Sequence, residues 1–481
     1  MKFESDHYVH LKYINNFKHG NKRFGAIIMA HYNQLYAVYP LLYHYLISVF
    51  FYDTAINKPH RINNLIQVIS YLSFNAFVYW FTGTTNLLDY LTYNLVFSLF
   101  PFSYAFWNAK NTGLSARGFG LLTGQLFTYG LLVYMNSGSV FAYVCLIIFA
   151  LISLLGSQFS FQYVFFVSIT TALITTKVEL IIPLFVSLVL FRVAFPELFK
   201  HYIRGQFNHK KNYALYLASI FIMKYRPNIY RDFVYDFWVR LAKIKTERTQ
   251  ALNYIYTNPI VELIYGFPFL WATLFFAYRE NQLLFSNELF IIIGATLLIF
   301  FVISLNPFRF LGEPQRYLEF TLPLITVAFL RYSPSHSQWI LIFASAFFIG
   351  VTNFIFKQFR KAKANHQELI QFLQNDYNEK TVIASNDTNF IKFLSPYFNI
   401  ITTDLTVPYA NKSEFNFYHK NDYNIQSVSG LIKYHTTHKI NLIVINNNFY
   451  SEEEQRELNK AIDLSKVKSI ANYCIYEIKH V

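Results

Sequence analysis

Charge is scarce in this chain. Only 14% of its 481 residues are Asp, Glu, Lys or Arg, where soluble globular proteins carry about a quarter. That shortfall excludes an ordinary soluble enzyme of this size. Cysteine is nearly absent: Cys145 lies in an apolar run and Cys474 near the C-terminus, which excludes a disulfide framework. Acidic residues are outnumbered, 27 against 41 basic, for a net charge of +14. In so apolar a chain the excess of Lys and Arg reads as loops held on the cytoplasmic side against anionic lipid, not as a nucleic-acid surface.

What the chain has is hydrophobic surface: 54% apolar residues, with 53 Phe and 38 Tyr. Runs such as "VFAYVCLIIFALISLLG", "VELIIPLFVSLVLF" and "ELFIIIGATLLIFFVIS" approach the roughly 20 residues needed to cross about 30 Å of hydrocarbon. Spans are expected near 36–53, 63–82, 87–106, 119–135, 139–156, 160–176, 178–196, 259–278, 285–305, 317–331 and 338–356, about eleven in all. The expected fold class is therefore an all-α polytopic transmembrane bundle with a small C-terminal α/β soluble domain. Residues 1–35 form a polar first loop, 36–356 the membrane domain, and 357–481 the soluble domain. Within the membrane domain, 197–258 is a basic segment whose apolar stretch 213–223 is too short to span unaided, so it is read as interfacial or re-entrant. In the soluble domain "TVIAS", "LIVIN" and "CIYEI" are expected as strands, with a helix over "SEEEQRELNKAI". That domain shows no glycine-rich phosphate loop and no His/Cys cluster at metal spacing. Abundant Phe, Tyr, Ile, Asn and Lys fit an AT-rich bacterial genome, which makes the bacterial cytoplasmic membrane the expected location and the bilayer a partner.

The first residues, "ESDHYVHL" at 4–11, crowd ionisable groups ahead of any apolar run. Asp6 to Phe17 reads as a short helix, capped by Ser5 or Asp6, with Val9, Tyr13 and Phe17 on one face, lying in the membrane interface. The positive-inside rule keeps Arg61, Lys110, Arg117 and the 197–258 segment on the cytoplasmic side, which leaves 1–35 outside. Yet this tail carries Lys2, Lys12, Lys18, Lys22 and Arg23, and nothing apolar precedes it. The simplest resolution is a further transmembrane helix ahead of Met1.

With such a helix, three stretches resemble the GT-C type of membrane glycosyltransferase, in its uncharacterised bacterial branch. "SDHYVHLKYI" is similar to the acidic first extracytoplasmic loop, "YAVYPLLYHYL" at 36–46 to the Tyr-Pro…His run that opens the next span, and "LGEPQRYLEFTLP" at 311–323 to the late Gly-Glu-x-x-Arg-Tyr-x-Glu segment. The resemblance covers roughly 1–356 and rests on about twenty residues; the late motif is the more specific. It implies transfer of a sugar from a polyprenyl-phosphate carrier to a glycan, lipid or protein acceptor outside the cytoplasm.

The chemistry suits these residue types. Attack of an acceptor hydroxyl on an anomeric carbon needs a general base, typically contributing about 10²–10⁴-fold, and the departing phosphate needs cationic support, which Arg supplies bidentately. Asp6 would be the base, with His10 four residues on the same helix face orienting it or binding phosphate. Arg316 would hold the phosphate, flanked by Glu313 and Glu319, each three residues away. Tyr317 and His44 complete the substrate-binding candidates, with Lys177 and Glu179 in "TTKVEL" behind them. A divalent metal, Mg²⁺ or Mn²⁺, could sit on Glu4 and Asp6.

Each residue has a plainer role open to it. Asp6 serves equally as a helix cap, His7 and His10 as interfacial rings, and Glu313, Arg316 and Glu319 as a structural ion-pair ladder. Tyr317 could anchor an interface, and His44 could be structural. Counting spans from the basic segment puts "GEPQRYLE" on the cytoplasmic side, opposite Asp6, although the enzyme reading needs them together. The competing functions are a transporter or flippase of lipid-linked saccharide, with Asp89 and Arg192 marking its pathway, a surface-polysaccharide polymerase on another membrane fold, and a simple membrane anchor.

Overall fold

The computed structural model describes residues 5–20, 22–26, 40–104, 113–212, 259–280 and 287–359, together with much of 367–400 and 440–478. The chain opens with α1 (Ser5–His19), α2 (Leu42–Phe50) and α3 (Tyr52–Asn57). Longer helices come next: α4 (His60–Thr82), α5 (Leu87–Ser98), α6 (Ala116–Ser137), α7 (Val140–Gly156), α8 (Gln158–Thr175), α9 (Ile182–Ala194) and α10 (Pro196–Asn212). After the interval 213–258 come α11 (Pro259–Gly266), α12 (Pro268–Arg279), α13 (Glu288–Ser304), the short α14 (Gln315–Leu318), α15 (Leu322–Tyr332) and α16 (Ser335–Phe359).

From α4 onward the helices run back and forth between two ends of one bundle. Helices α4 and α6 lie parallel and in register: Asn63 Nδ2 donates to Gly113 O (2.6 Å), Ser70 Oγ to Gln125 Oε1 (3.1 Å), and the Phe77 and Tyr129 rings stack 4.5 Å apart. At one end, the near end, α1 packs on the last turns of α7 and α9 and on α10, through Val9, Tyr13 and Phe17 against Leu154, Phe191, Leu198 and Tyr202. At the far end the Tyr134 and Tyr143 rings meet at 5.0 Å, and Tyr143 donates to the main-chain oxygen of Glu179. There too Asn287 bonds Tyr332, and Arg331 sits over the Phe81 ring.

Among the described residues three helices, α4, α6 and α8, are long and apolar enough to cross a membrane, and the pair α11–α12, bent by 71°, makes a fourth if it is one broken span. The described helices are thus those of a mostly helical fold, and they do not establish eleven spans. Several expected spans are shortened or broken: α7 and α13 have 17 residues each, and the 317–331 span divides at Glu319–Thr321 into α14, a 3₁₀ turn and α15. Of the expected span at 36–53, residues 36–39 lie outside the described residues, and 40–53 are not one helix. Its described part is the nine-residue α2 and then α3, both packed beside α1 at the near end. Phe51, with φ −136° and ψ 23°, leaves the helical region and ends α2 after nine residues, short of bilayer length.

The surface pattern of α4 is inverted relative to a water-exposed helix. Leu65, Val68, Leu72 and Trp80 face outward, while Asn63, Gln67 and Ser70 line an inner groove opposite Gly118 and Gln125. Between the two ends the interior is filled by one apolar cluster that runs from Phe74 and Phe127 to Phe300 and Phe329.

The C-terminal residues form the expected α/β unit. Its sheet holds β1 (Val382–Ser385), β2 (Asn399–Ile400), β3 (Leu442–Asn446), β4 (Leu464–Ile470) and β5 (Tyr473–Ile478) in the order β2-β1-β3-β5-β4. The first three are parallel, and β5 joins antiparallel to both β3 and β4. Strands β1 and β3 are buried on both faces, which is why they read as unbroken apolar runs. Helices α17 (Gln367–Asp376) and α18 (Glu452–Ala461) accompany the sheet, α17 covering it with Leu369 and Leu373. Strand β4 escapes a sequence reading because Lys466 and Lys468 lie along a sheet edge, where charge blocks further pairing.

The tightest packing lies on α6. A Cβ on Gly124 would overlap the Phe320 ring, and one on Gly120 would overlap Ser157. Such small residues let helix backbones approach closely. Gly124→Leu should therefore cost about 1–3 kcal/mol, read as a lower melting temperature of the full chain in detergent. An unchanged melting curve would show that α6 and the 313–321 segment are not this close.

Candidate functional site

Helix α1 is apolar on two sides. Val9, Tyr13 and Phe17 face the bundle, while Leu11 and Ile14 pack with Tyr43, Ile47, Ile62 and Leu114. The expectation of an interfacial helix with one face on lipid headgroups is corrected accordingly. The helix exists, but protein covers both faces, because its apolar residues recur every three to four positions and flank the aromatic stripe as well as forming it.

That burial carries histidines inside. His10 Nδ1 lies 2.8 Å from His44 Nε2, with the two rings nearly parallel and 5.1 Å apart. Tyr13 packs on His44 at 4.9 Å. One turn earlier, His7 Nδ1 accepts the main-chain N–H of Leu114 at 3.0 Å. Gly113 allows this approach: its φ is +81°, and a Cβ there would come within 3.0 Å of His7 Nδ1. Burial pushes the His7 imidazole down to about 4, with the neighbouring His10 adding to the effect. Burial likewise holds His44 well below the usual histidine range. Both rings are neutral at pH 7, and His7 presents Nδ1 as an acceptor. Asp6 lies in α1 one position before His7, but its side chain, like all of Glu4, lies outside the described residues. The expected metal pair falls there too. Among the described residues no group of three or more His, Cys, Asp or Glu could hold an ion.

The His7 contact ties α1 to the N-terminus of α6, where Ser115 caps the helix by accepting the N–H of Arg117. Arg117, Gly120, Ser157, Phe159, Arg316 and Glu319 line one small recess. Arg316 is buried there at 8% exposure, ion-paired with Glu313, its guanidinium 4.9 Å from the centre of the Phe159 ring. Tyr317 is fully buried, and its hydroxyl donates to Leu311 O at 3.2 Å. The Gln162 amide nitrogen reaches both that hydroxyl and Leu311 O at 3.1 Å, and its oxygen accepts from Lys210 Nζ at 3.0 Å. Lys210 also donates to Phe310 O at 3.2 Å. Gln125 donates to the main-chain oxygen of Glu319 at 3.4 Å. The "GEPQRYLE" segment is thus pinned from α6, α8 and α10.

The structure therefore brings α1, His10 and His44 to the same end of the bundle as Glu313, Arg316, Tyr317 and Glu319. Counting spans along the sequence puts the first residues and Arg117 on opposite sides, and "GEPQRYLE" opposite Asp6. Both conflicts arise from taking 36–53 as a crossing, and both vanish once α2 stays at the near end. Lys177 and Glu179 are not brought in. They flank the far end of α8, roughly 25 Å from Gln162 and Tyr317 at 1.5 Å rise per residue, with Lys177 exposed.

Sequence reasoning passes over Arg117, Ser157, Gln125 and Lys210 as site residues. Arg117 alone leaves a signal: a cation in the first turn of a helix opposes the helix dipole, so its place after the Ser115 cap invites another reason for it. The other three are common polar residues that gain meaning only from their neighbours. No protein-family model matches the chain, and no curated protein matches it.

The His7 environment sets a pH dependence. An unfolded histidine titrates near 6.5, while folded His7 stays neutral down to about 4. As pH falls through that interval the unfolded state binds the proton first, so stability drops by about 1.4 kcal/mol per unit, about 3 in all. The melting temperature should fall between pH 7 and 5, and fall less in His7→Gln. A variant with the full wild-type slope would remove His7 as a source.

Proposed function

We propose that this protein is a membrane glycosyltransferase that moves a sugar from a polyprenyl-phosphate carrier to an acceptor hydroxyl. One observation carries the reading: a helix bearing Asp6 and His10 shares an end of the bundle with a recess lined by Arg117 and Arg316. The outward-facing apolar residues of α4 and the membrane-length helices support placing the bundle in a bilayer. An apolar, aromatic-packed interior between the ends speaks against a transport pathway.

In this reaction the Asp6 carboxylate removes the proton as the acceptor oxygen attacks the anomeric carbon. The bond from that carbon to the phosphate oxygen breaks, and polyprenyl phosphate leaves with the bonding pair. Arg316 and Arg117 stabilise the charge that develops on the phosphate, more strongly in a recess that excludes water than in solution. Glu313 and the Phe159 face hold the Arg316 fork in place. His10, bonded to His44, fixes α1, the helix that carries Asp6.

A specific observation favours a second reading. Among the described residues the near end gathers the cations Lys12, Lys18, Arg61, Arg117, Arg204 and Lys210 beside Asp53, Glu197, Glu313 and Glu319, whereas the far end has few Lys or Arg, among them Lys177, Arg279 and Arg331. By the positive-inside rule the near end would face the cytoplasm, where a flippase or an enzyme acting before export would meet its lipid-linked substrate. Sided thiol labelling of Lys211→Cys separates the two orientations.

In proteoliposomes supplied with polyprenyl-phosphate hexose, the full chain should release polyprenyl phosphate in proportion to sugar transferred. Asp6→Asn should lower the rate about 10²–10⁴-fold, and Arg316→Lys should lower it as well, because an ammonium cannot replace a bidentate fork. Melting temperatures should stay near wild type for Asp6→Asn. Unaltered transfer by Asp6→Asn removes the carboxylate from the mechanism.

A further inference from the structure

Helices α7 and α8 meet at Ser157, whose extended backbone (φ −157°, ψ 130°) ends one and starts the other. The first N–H groups of an α-helix have no partner inside it, and a serine at this position usually accepts one of them. Ser115 does so for α6 and Ser139 for α7. Ser157 does not. Its hydroxyl accepts nothing from α8 and makes no hydrogen bond among the described residues, although Ser157 is only 5% exposed. A hydroxyl buried without a partner is costly.

This side chain lines the recess of Arg117, Gly120, Arg316 and Glu319, as does Phe159 in the first turn of the same helix. The start of α8 therefore opens onto the recess. Gly120 leaves the room, since a Cβ there would overlap the Ser157 hydroxyl. Cations also gather here where helix dipoles disfavour them. Arg117 stands in the first turn of α6, and the Arg316 guanidinium lies 4.9 Å from the centre of the Phe159 ring. Glu313 pairs with Arg316, and Glu319 shares the lining. Formal charge alone thus makes no anion site of this recess. The helix N-terminus and the unpartnered hydroxyl supply the preference, because unpaired N–H groups and the dipole both favour an anion.

We propose that the start of α8, through its first N–H groups and the Ser157 hydroxyl, is the cradle for a phosphate oxygen, that of the lipid phosphate in the proposed transfer. The lipid source rests on the glycosyl-transfer reading; the phosphate chemistry does not. Ser157 gains in the ligand the acceptor it lacks in the protein, and Arg316, held by Glu313 and the Phe159 face, adds charge beside it.

The test uses the full chain in detergent, titrated with farnesyl phosphate, farnesol and inorganic phosphate and followed by calorimetry. Farnesyl phosphate should bind saturably and at least tenfold more tightly than farnesol. Ser157→Ala should weaken it about tenfold, the loss expected for one hydrogen bond to a charged group, without lowering the melting temperature, because the hydroxyl caps nothing. Ser157→Asp should weaken it further while keeping the fold, since Asp caps a helix well and repels phosphate. Lower melting of Ser157→Ala with wild-type affinity would make Ser157 merely structural and overturn the proposal. Absence of saturable phosphate binding, equal affinity for farnesol, or wild-type affinity in both Ser157 variants would overturn it too. Inorganic phosphate binding as tightly as farnesyl phosphate, with the same dependence on Ser157, would keep the cradle and overturn its lipid source. Ser157-dependent binding by a chain that transfers no sugar would remove the transfer reading alone.

Discussion

The main-chain N–H of Leu114 points at the imidazole of His7, across a gap that the glycine at 113 keeps open. Through this contact the first helix is fixed to the start of α6, and α6 in turn organises the near end. Its Arg117 lines the recess, its Gly120 and Gly124 admit Ser157 and Phe320 to close range, and its Gln125 holds the backbone at Glu319. Three stretches far apart in sequence, near residues 7, 117 and 316, are positioned by one helix. Because His7 must accept, it must be neutral, so burial of the histidine and its place in the fold are one requirement.

The electrostatics of the recess obey the same economy. A guanidinium buried to 8% exposure is costly unless paired, and Arg316 has both a carboxylate at Glu313 and an aromatic face at Phe159. Arg117 stands against the dipole of its own helix. Pairing holds Arg316 in a defined geometry, with Arg117 on the same lining.

Much of the C-terminal unit was legible because β1 and β3 are continuous apolar strands and α18 is a dense charged helix. The polar edge strand β4 was not, since alternation of Lys with small residues carries little strand signal. In the bundle, the helical runs were legible from hydropathy, but their number was overcounted at 36–53. Composition there equals that of a span, and only the break at Phe51 divides it into two short helices. That single miscount displaced α1 to the wrong side and produced both topological conflicts. Of the site, Arg316 with Glu313 could be read from spacing, whereas Arg117, Gln125 and Lys210 could not. Their roles depend on which helices adjoin, and periodicity carries no information about that.

The central claim is that residues of α1 and of the 313–321 segment surround the same lipid-borne phosphate. The most direct measurement is photocrosslinking with a polyprenyl-phosphate analogue carrying a diazirine beside the phosphate, with the labelled peptides then mapped. The account predicts label in both 5–19 and 313–321, reduced by excess unmodified polyprenyl phosphate. Label confined to the far end, around 177–181, or to one of the two segments alone, would contradict it.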